Sequence, residues 1–295
     1  MKKPLHLSII AAIYAVAYGA GYAACFAIDN VVLQMFVFDV AATVVTFVFS
    51  LILKNSSVYD AYWSLTPMVM SIWLFISARA FSAWQIIFLI VFNVWSARLT
   101  VNWIIVFTDF SYEDWRYRKY REEHSPFVWF LLNFVGIHMM PTIIVFAGML
   151  PLFEIVRHPM NALSLIGMAV MLAGVAFEFF ADRHMHGFLK TTAEKVTCRT
   201  GLWNYSRHPN YLGEITVWWG VFIVMLPFAP QYWFLGAGAV FVTALFNVVS
   251  IPLMEKRQLA RRPDYADYRK TTSRLLILPH KRGAQKSKEQ SLSDN

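Results

Sequence analysis

The sequence predicts an all-α fold: a polytopic membrane bundle of seven to eight transmembrane helices. Three observations predict it. Of 295 residues, 58% are hydrophobic and only 15% are charged, more apolar surface than one soluble core of that length buries. The apolar runs have bilayer length, and a spanning helix takes about 20 residues. The basic residues collect between alternate runs, as cytoplasmic loops do.

Taken in order, the run near 7–28 exceeds the apolar stretch of a signal peptide and is followed by others, so it is expected to remain as a first helix. Further spans are expected near 31–53, 61–80, 82–106, 127–149 and 160–181. The run near 213–228 ends against Pro227 and Pro230, which leaves a broken or re-entrant segment as the alternative to a full crossing. A last span is expected near 232–254. With the N-terminus inside, eight spans put 1–6, 54–60, 107–126, 182–212 and 255–295 in the cytoplasm, and these segments hold 23 of the 26 Lys and Arg residues. Arg79 and Arg157 fall elsewhere, and Arg98 lies within a span. Both termini are therefore expected in the cytoplasm. Residues 1–279 read as a single membrane domain and 280–295 as a disordered polar tail.

Composition also excludes functions. The net charge of +8 follows the cytoplasmic loops and the tail, where anionic membrane lipids attract it, so a nucleic acid partner is not expected. Cys25 and Cys198 have no CxxC pairing, which removes disulfide and structural zinc readings. His184 and His186 have no third ligand nearby, and no metal is expected. The sequence carries no repeat of about 20–50 residues and does not set the oligomeric state.

Ionisable residues are densest between 178 and 214. Glu178 and Asp182, four apart, share one helix face, as ligands or as solvated interfacial carboxylates. Pro209 suits a first helical position, so Arg207 and His208 lie beside a helix N-terminus, a ready phosphate site. Asn210 and Glu214 then share a face, with Glu214 carried slightly into the membrane, where a carboxylate is costly and points to function. After the last span come Glu255, Tyr265 and Tyr268. This segment reads either as a basic face lying on lipid or as stacking faces and hydroxyls for a nucleotide.

Together these residues form E-x-x-x-D at 178–182, G-L-W-x-Y-x-R-H-P-N-Y-x-G-E at 201–214, then P-L-M-E-K-R and Y-A-D-Y ahead of a final Leu-Pro. The arrangement resembles the C-terminal domain of the steroid 5-alpha-reductase family, in the form of its bacterial branch, over about a third of the chain. The resemblance implies an NADPH-dependent oxidoreductase of the bacterial cytoplasmic membrane that reduces a carbon–carbon double bond conjugated to a ketone in a hydrophobic, lipid-like substrate. It implies cofactor contacts from Glu178, Asp182, Asn210 and Glu214, with Lys190 near the place of a phosphate-binding basic residue. Tyr211, Glu255, Tyr265 and Tyr268 belong to the same implied site. Arg207 and His208 follow a motif of the wider superfamily, which includes sterol reductases. Glu178 departs from the family's steroid reductases, which carry an amide there.

The substrate end departs further. Those reductases polarise the ketone with a Gln-Glu pair and a Tyr, whereas the comparable stretches here are Ser57–Ser64 and Trp95–Arg98. Asp60, with a raised pKa, or Tyr62 is the candidate acid, and Glu214 is expected to orient the reacting end of the cofactor. Two rivals remain. Membrane methyltransferases that use S-adenosylmethionine look similar around R-H-P-x-Y-x-G, although Asn210 and Glu214 favour the reductases. A lipid-binding relic of the fold is the non-enzymatic alternative.

Overall fold

The computed structural model describes residues 2–192 and 195–279. The predicted disordered tail, 280–295, lies outside the described residues. In chain order, α1 is Lys2–Cys25, α2 Val31–Ile52, α3 Tyr62–Ser77, α4 Ala83–Val106, α5 Trp115–Glu123, α6 Pro126–Arg157, α7 Ser164–Thr191, α8 Pro209–Met225, α9 Pro230–Arg261 and α10 Tyr265–Thr271. Short single turns fill some of the connections, and the described residues contain no strand beyond a bridge pairing Ser206 with Ser273.

Six helices, α1, α2, α4, α6, α7 and α9, are long and apolar enough to cross a membrane. This is an integral membrane protein. The spans expected at 61–80 and 213–228 are α3 and α8, helices of 16 and 17 residues, short of the roughly 20 that a straight crossing takes. The stop of α3 has a local cause. Arg79 is left-handed, φ 52°, and the Ala80 N–H turns back to the Phe75 carbonyl at 3.0 Å, a bond that closes a helix end.

Elsewhere the helices outrun the apolar runs, because a helix continues through polar residues as long as one face is packed. Thus α7 extends to Thr191 and carries Asp182, His184 and Lys190, while α9 extends to Arg261 and carries Glu255. Both α6 and α9 contain a π-helical stretch, Leu132–Met139 and Leu245–Ser250. Each stretch ends two residues before a proline, Pro141 or Pro252. Proline lacks an N–H and its ring crowds the carbonyl four residues back, and the wider π turn relieves that conflict.

The chain packs as two compact units, Met1–Leu165 with Val221–Gly238, and Ile166–Gly220 with Ala239–Asn295. The interior of the first is aromatic and hydroxylated. Tyr14, Tyr59 and Tyr62 are buried with Ile10, Ile13 and Phe107, and the ring of Tyr59 stacks on that of Tyr62 at 5.3 Å. Each hydroxyl taken into such a core must find a partner. Tyr14 reaches the Val58 carbonyl at 2.5 Å, and Tyr62 donates to the Asp39 carboxylate at 3.0 Å.

Candidate functional site

Glycines set the geometry of the second unit. A Cβ on Gly213 of α8 would fall 2.6 Å from the Gly174 carbonyl oxygen of α7 and 2.5 Å from Glu178 Cγ. At Gly220 it would fall 2.5 Å from Met171 Cγ. Small residues of this kind let two helix backbones touch in a membrane. The seam they make carries the acidic residues singled out from the sequence. Glu178 and Glu214 are both buried, and Glu214 Oε1 accepts the Trp218 indole N–H at 2.9 Å, one helical turn on. Asn210 Nδ2 donates to Asp182 Oδ1 at 3.4 Å.

The segment leading into α8 is laced to the end of the chain. Tyr268 donates to the carbonyls of Trp203 and Ser206. Ser206 Oγ donates to the Leu275 carbonyl at 2.7 Å. Arg207 is the centre of the lacing: its Nε meets Glu255 Oε1 at 2.8 Å, and its Nη1 donates to the carbonyls of Arg269 and Thr272, both at 2.7 Å. His208 lies parallel to Tyr211 with ring centres 5.3 Å apart, its Nε2 3.4 Å from the same Glu255 oxygen. Burial holds the His208 imidazole below its ordinary pKa, Glu255 opposes that shift and Arg207 adds to it.

A strap from Thr197 to Arg199 crosses to Asp264. Thr197 donates to that carboxylate through its backbone N–H at 3.0 Å and its hydroxyl at 2.8 Å, and Arg199 donates to the Asp264 carbonyl at 2.7 Å. These pieces enclose a cleft of about 240 Å³. Arg207, His208, Asn210 and Tyr211 line it from the start of α8, and Gln258, Arg262, Tyr265 and Tyr268 from α9, the link after it and α10. Burial raises the hydroxyl pKa of both Tyr265 and Tyr268. The Tyr265 hydroxyl is buried in this wall with no hydrogen-bond partner, a condition that a bound polar group would relieve.

Of the residues expected to hold a cofactor, Arg207, His208, Asn210, Tyr211, Tyr265 and Tyr268 line one cleft. Asp182 and Glu255 stand behind it, bonded to Asn210 and Arg207. Glu178 and Glu214 lie in the glycine seam and Lys190 is exposed near the end of α7. His184 is occupied with Thr200, Nε2 to Oγ1 2.7 Å, and its ring packs where Gly201 has no side chain, at φ 58°. Sequence reasoning missed Met254 and Gln258, four apart on α9, and Arg262 just past its end, all lining the cleft. Extending the helix through Glu255 at its own period would have found them.

The two candidate acids belong to the first unit and part company there. Tyr62 is committed to Asp39, whereas Asp60, in the connection before α3, accepts from the Tyr117 hydroxyl of α5 at 2.8 Å. Burial, with the Asp114 carboxylate nearby, raises Asp60 to about 7 against the lowering pull of Ser57, Tyr117 and Arg116.

No curated protein and no solved structure matches the chain. A family model described as "Protein of unknown function (DUF1295)" matches residues 46–272. That match takes in Asp60 and Tyr62, the glycine seam and all of the cleft wall, and the chain belongs to the DUF1295 family.

Proposed function

We propose that this chain is a membrane reductase that uses NADPH to reduce a carbon–carbon double bond conjugated to a ketone in a hydrophobic substrate. The observation that carries the reading is the cleft. Six residues marked by the steroid 5-alpha-reductase-like motif gather on it, and one of them, Tyr265, has a buried hydroxyl with no partner.

The wall suits part of a nucleotide. Arg262 and Gln258 offer a cation and an amide for a phosphate, since Arg207 Nε and Nη1 are committed elsewhere. The Tyr265 hydroxyl offers a donor, and the paired rings of His208 and Tyr211 offer a stacking face. NADPH, when bound, supplies the hydride that goes to the β-carbon of the enone. The chain's own task is then to meet the negative charge that grows on the ketone oxygen. A carboxyl near a pKa of about 7, as at Asp60, keeps a proton to give under neutral conditions. Tyr62 fits the acid role less well, because its hydrogen is engaged by Asp39. Glu214, buried one turn from Trp218, suits an orienting acceptor.

The reading is tested with purified protein in detergent. NADPH is expected to raise the melting temperature more than NADH, and S-adenosylmethionine not at all, since a ligand stabilises the state it binds. NADPH oxidation with a panel of cyclic enones should then show turnover. Stabilisation by S-adenosylmethionine alone would overturn the reading in favour of a methyltransferase. Binding of NADPH without turnover of any enone would favour a relic.

A further inference from the structure

A groove of about 530 Å³ lies between the start of α2 and the last three turns of α6. Val32, Leu33, Phe36 and Phe146 line its apolar part, and Asn30 and Arg157 line it where the two helices end. The rings of Phe36 and Phe146 meet at 5.2 Å and join the helices at its deeper end. Phe146 and Arg157 are eleven residues apart on α6, about 16 Å at a rise of about 1.5 Å per residue. The hydrocarbon core of a bilayer is about 30 Å thick, so one leaflet is about 15 Å deep. The groove thus has the length of one leaflet, with its polar residues at the end that meets the head groups. Leu33, about half exposed, leaves its side open to lipid.

The polar end offers donors. Arg157 Nη1 donates to Glu154 Oε1 at 3.0 Å, an ion pair that tethers the guanidinium. Its Nε and Nη2 have no partner among the described residues, and the side chain is 49% exposed. These two groups lie on one edge of the planar guanidinium, the edge that grips two oxygens at once. Arg116 uses the same edge on the Asp114 carboxylate, at 2.8 and 3.2 Å. The Asn30 amide is oriented by its helix cap: Oδ1 accepts the Leu33 N–H at 3.0 Å, which leaves Nδ2 as a free donor. Asn30 Oδ1 is the one side-chain acceptor among the six lining residues, and the cap takes it. Asp29 and Glu154 are near in sequence, but neither lines the groove.

Arg157 is also one of two cations that the sequence places outside both the spans and the expected cytoplasmic segments, so the signal that orients the helices does not account for it. The groove asks for a molecule with an apolar chain one leaflet long and, at its head, oxygens that accept two N–H bonds from one guanidinium.

We propose that the groove between α2 and α6 seats a phospholipid, its phosphodiester on Arg157 and Asn30 and an acyl chain along Val32, Leu33, Phe36 and Phe146. Phospholipid surrounds these helices at high concentration, so a modest affinity keeps the seat filled. The site does not rest on the reductase reading, and its test needs no turnover.

The full chain is purified in detergent, stripped of lipid, and given dioleoylphosphatidylglycerol, dioleoylglycerol, oleic acid or inorganic phosphate. The phospholipid is expected to raise the melting temperature by about 2–4 °C and to remain bound, one per chain, in native mass spectra. Dioleoylglycerol keeps the chains and lacks the phosphate, and inorganic phosphate has no chain, so neither should match it. Arg157→Lys keeps a charge for Glu154 but loses the two-pronged edge, and should weaken phospholipid binding about tenfold. Leu33→Trp fills the groove at a half-exposed position and should abolish both signals. If one variant does not fold, the other still decides. Equal stabilisation by dioleoylglycerol or by inorganic phosphate would overturn the proposal, as would oleic acid matching the phospholipid, which would mark a fatty-acid seat. Phospholipid binding that ignores Arg157→Lys or survives Leu33→Trp would overturn it as well.

Discussion

Replacing Arg207 by Ala tests whether the cleft is held together by its own charge or only lined by it. The side chains of Arg207 and Glu255 are 8% and 12% exposed, with 2.8 Å between Nε and Oε1. Deleting the cation leaves a buried carboxylate, and breaking such a pair costs about 3–5 kcal/mol. The carbonyls of Arg269 and Thr272 lose a donor as well. Water admitted to the cleft can take its place, so this loss adds little. The remaining neighbour of Glu255 is His208, and burial, which holds its imidazole below the ordinary pKa, still opposes compensation from that side even though the lowering influence of Arg207 is gone. At about 2–4 °C per kcal/mol, the protein without ligand should melt roughly 6–20 °C below the parent. A residue that served only a phosphate would behave otherwise, leaving the ligand-free protein unchanged and removing the rise caused by NADPH. Thermal unfolding in detergent with and without NADPH separates the two. Arg207→Ala combined with Glu255→Gln should recover part of the loss, because the stranded charge is gone. A ligand-free melting temperature within about 1 °C of the parent, a change worth under ~0.5 kcal/mol, would refute the reasoning.

Glu214→Gln keeps the volume and the acceptor for Trp218 while removing the charge, so enone turnover should fall more than NADPH affinity; full activity with an equal or higher melting temperature takes Glu214 out of the site. Asp60 gives a pH test. Its folded pKa of about 7 lies above the unfolded value, which is about 3.9, so the folded state binds the extra proton and Asp60 costs stability as pH rises through that window. Asp60→Asn should therefore gain on the parent from about pH 5 to about pH 7, the upper part of that window, and hold level above it. A constant difference across pH, followed by thermal unfolding, contradicts the assignment. Reporter fusions at the two ends should both register cytoplasm, as the basic-residue asymmetry predicts, and a C-terminus on the far side would reverse the expected orientation.

The sequence was most informative where a single physical rule operates over many residues. Membrane-length hydropathy found the long helices, and Pro209 marked the start of α8 to the residue. It was less informative where local geometry decides. Nothing in the apolar run of α3 announces that Arg79 will turn left-handed and end the helix after 16 residues. The motif around 201–214 named Arg207, His208, Asn210 and Tyr211 of the cleft wall, yet it could not tell Arg207 as a phosphate contact from Arg207 as a brace, because that depends on carbonyls more than 60 positions away. Asp39 and His138 were legible and overlooked. Both are ionisable residues within expected spans, and the cost of an ionisable group at that depth is reason enough to ask what each does.

The lacing of the cleft also orders its biogenesis. Every helix long enough to cross the bilayer is complete by Arg261, but Tyr265 and Tyr268, and the carbonyls that receive Arg207, come later. During synthesis all membrane crossings can be in place while one wall of the cleft is still unmade and Glu255 and Arg207 face each other without the rest of their bonds. Membrane insertion and the closing of the cleft are thus separate events in the life of the chain. A chain truncated a few residues past the last crossing would keep every membrane-length helix and lack one wall of the cleft.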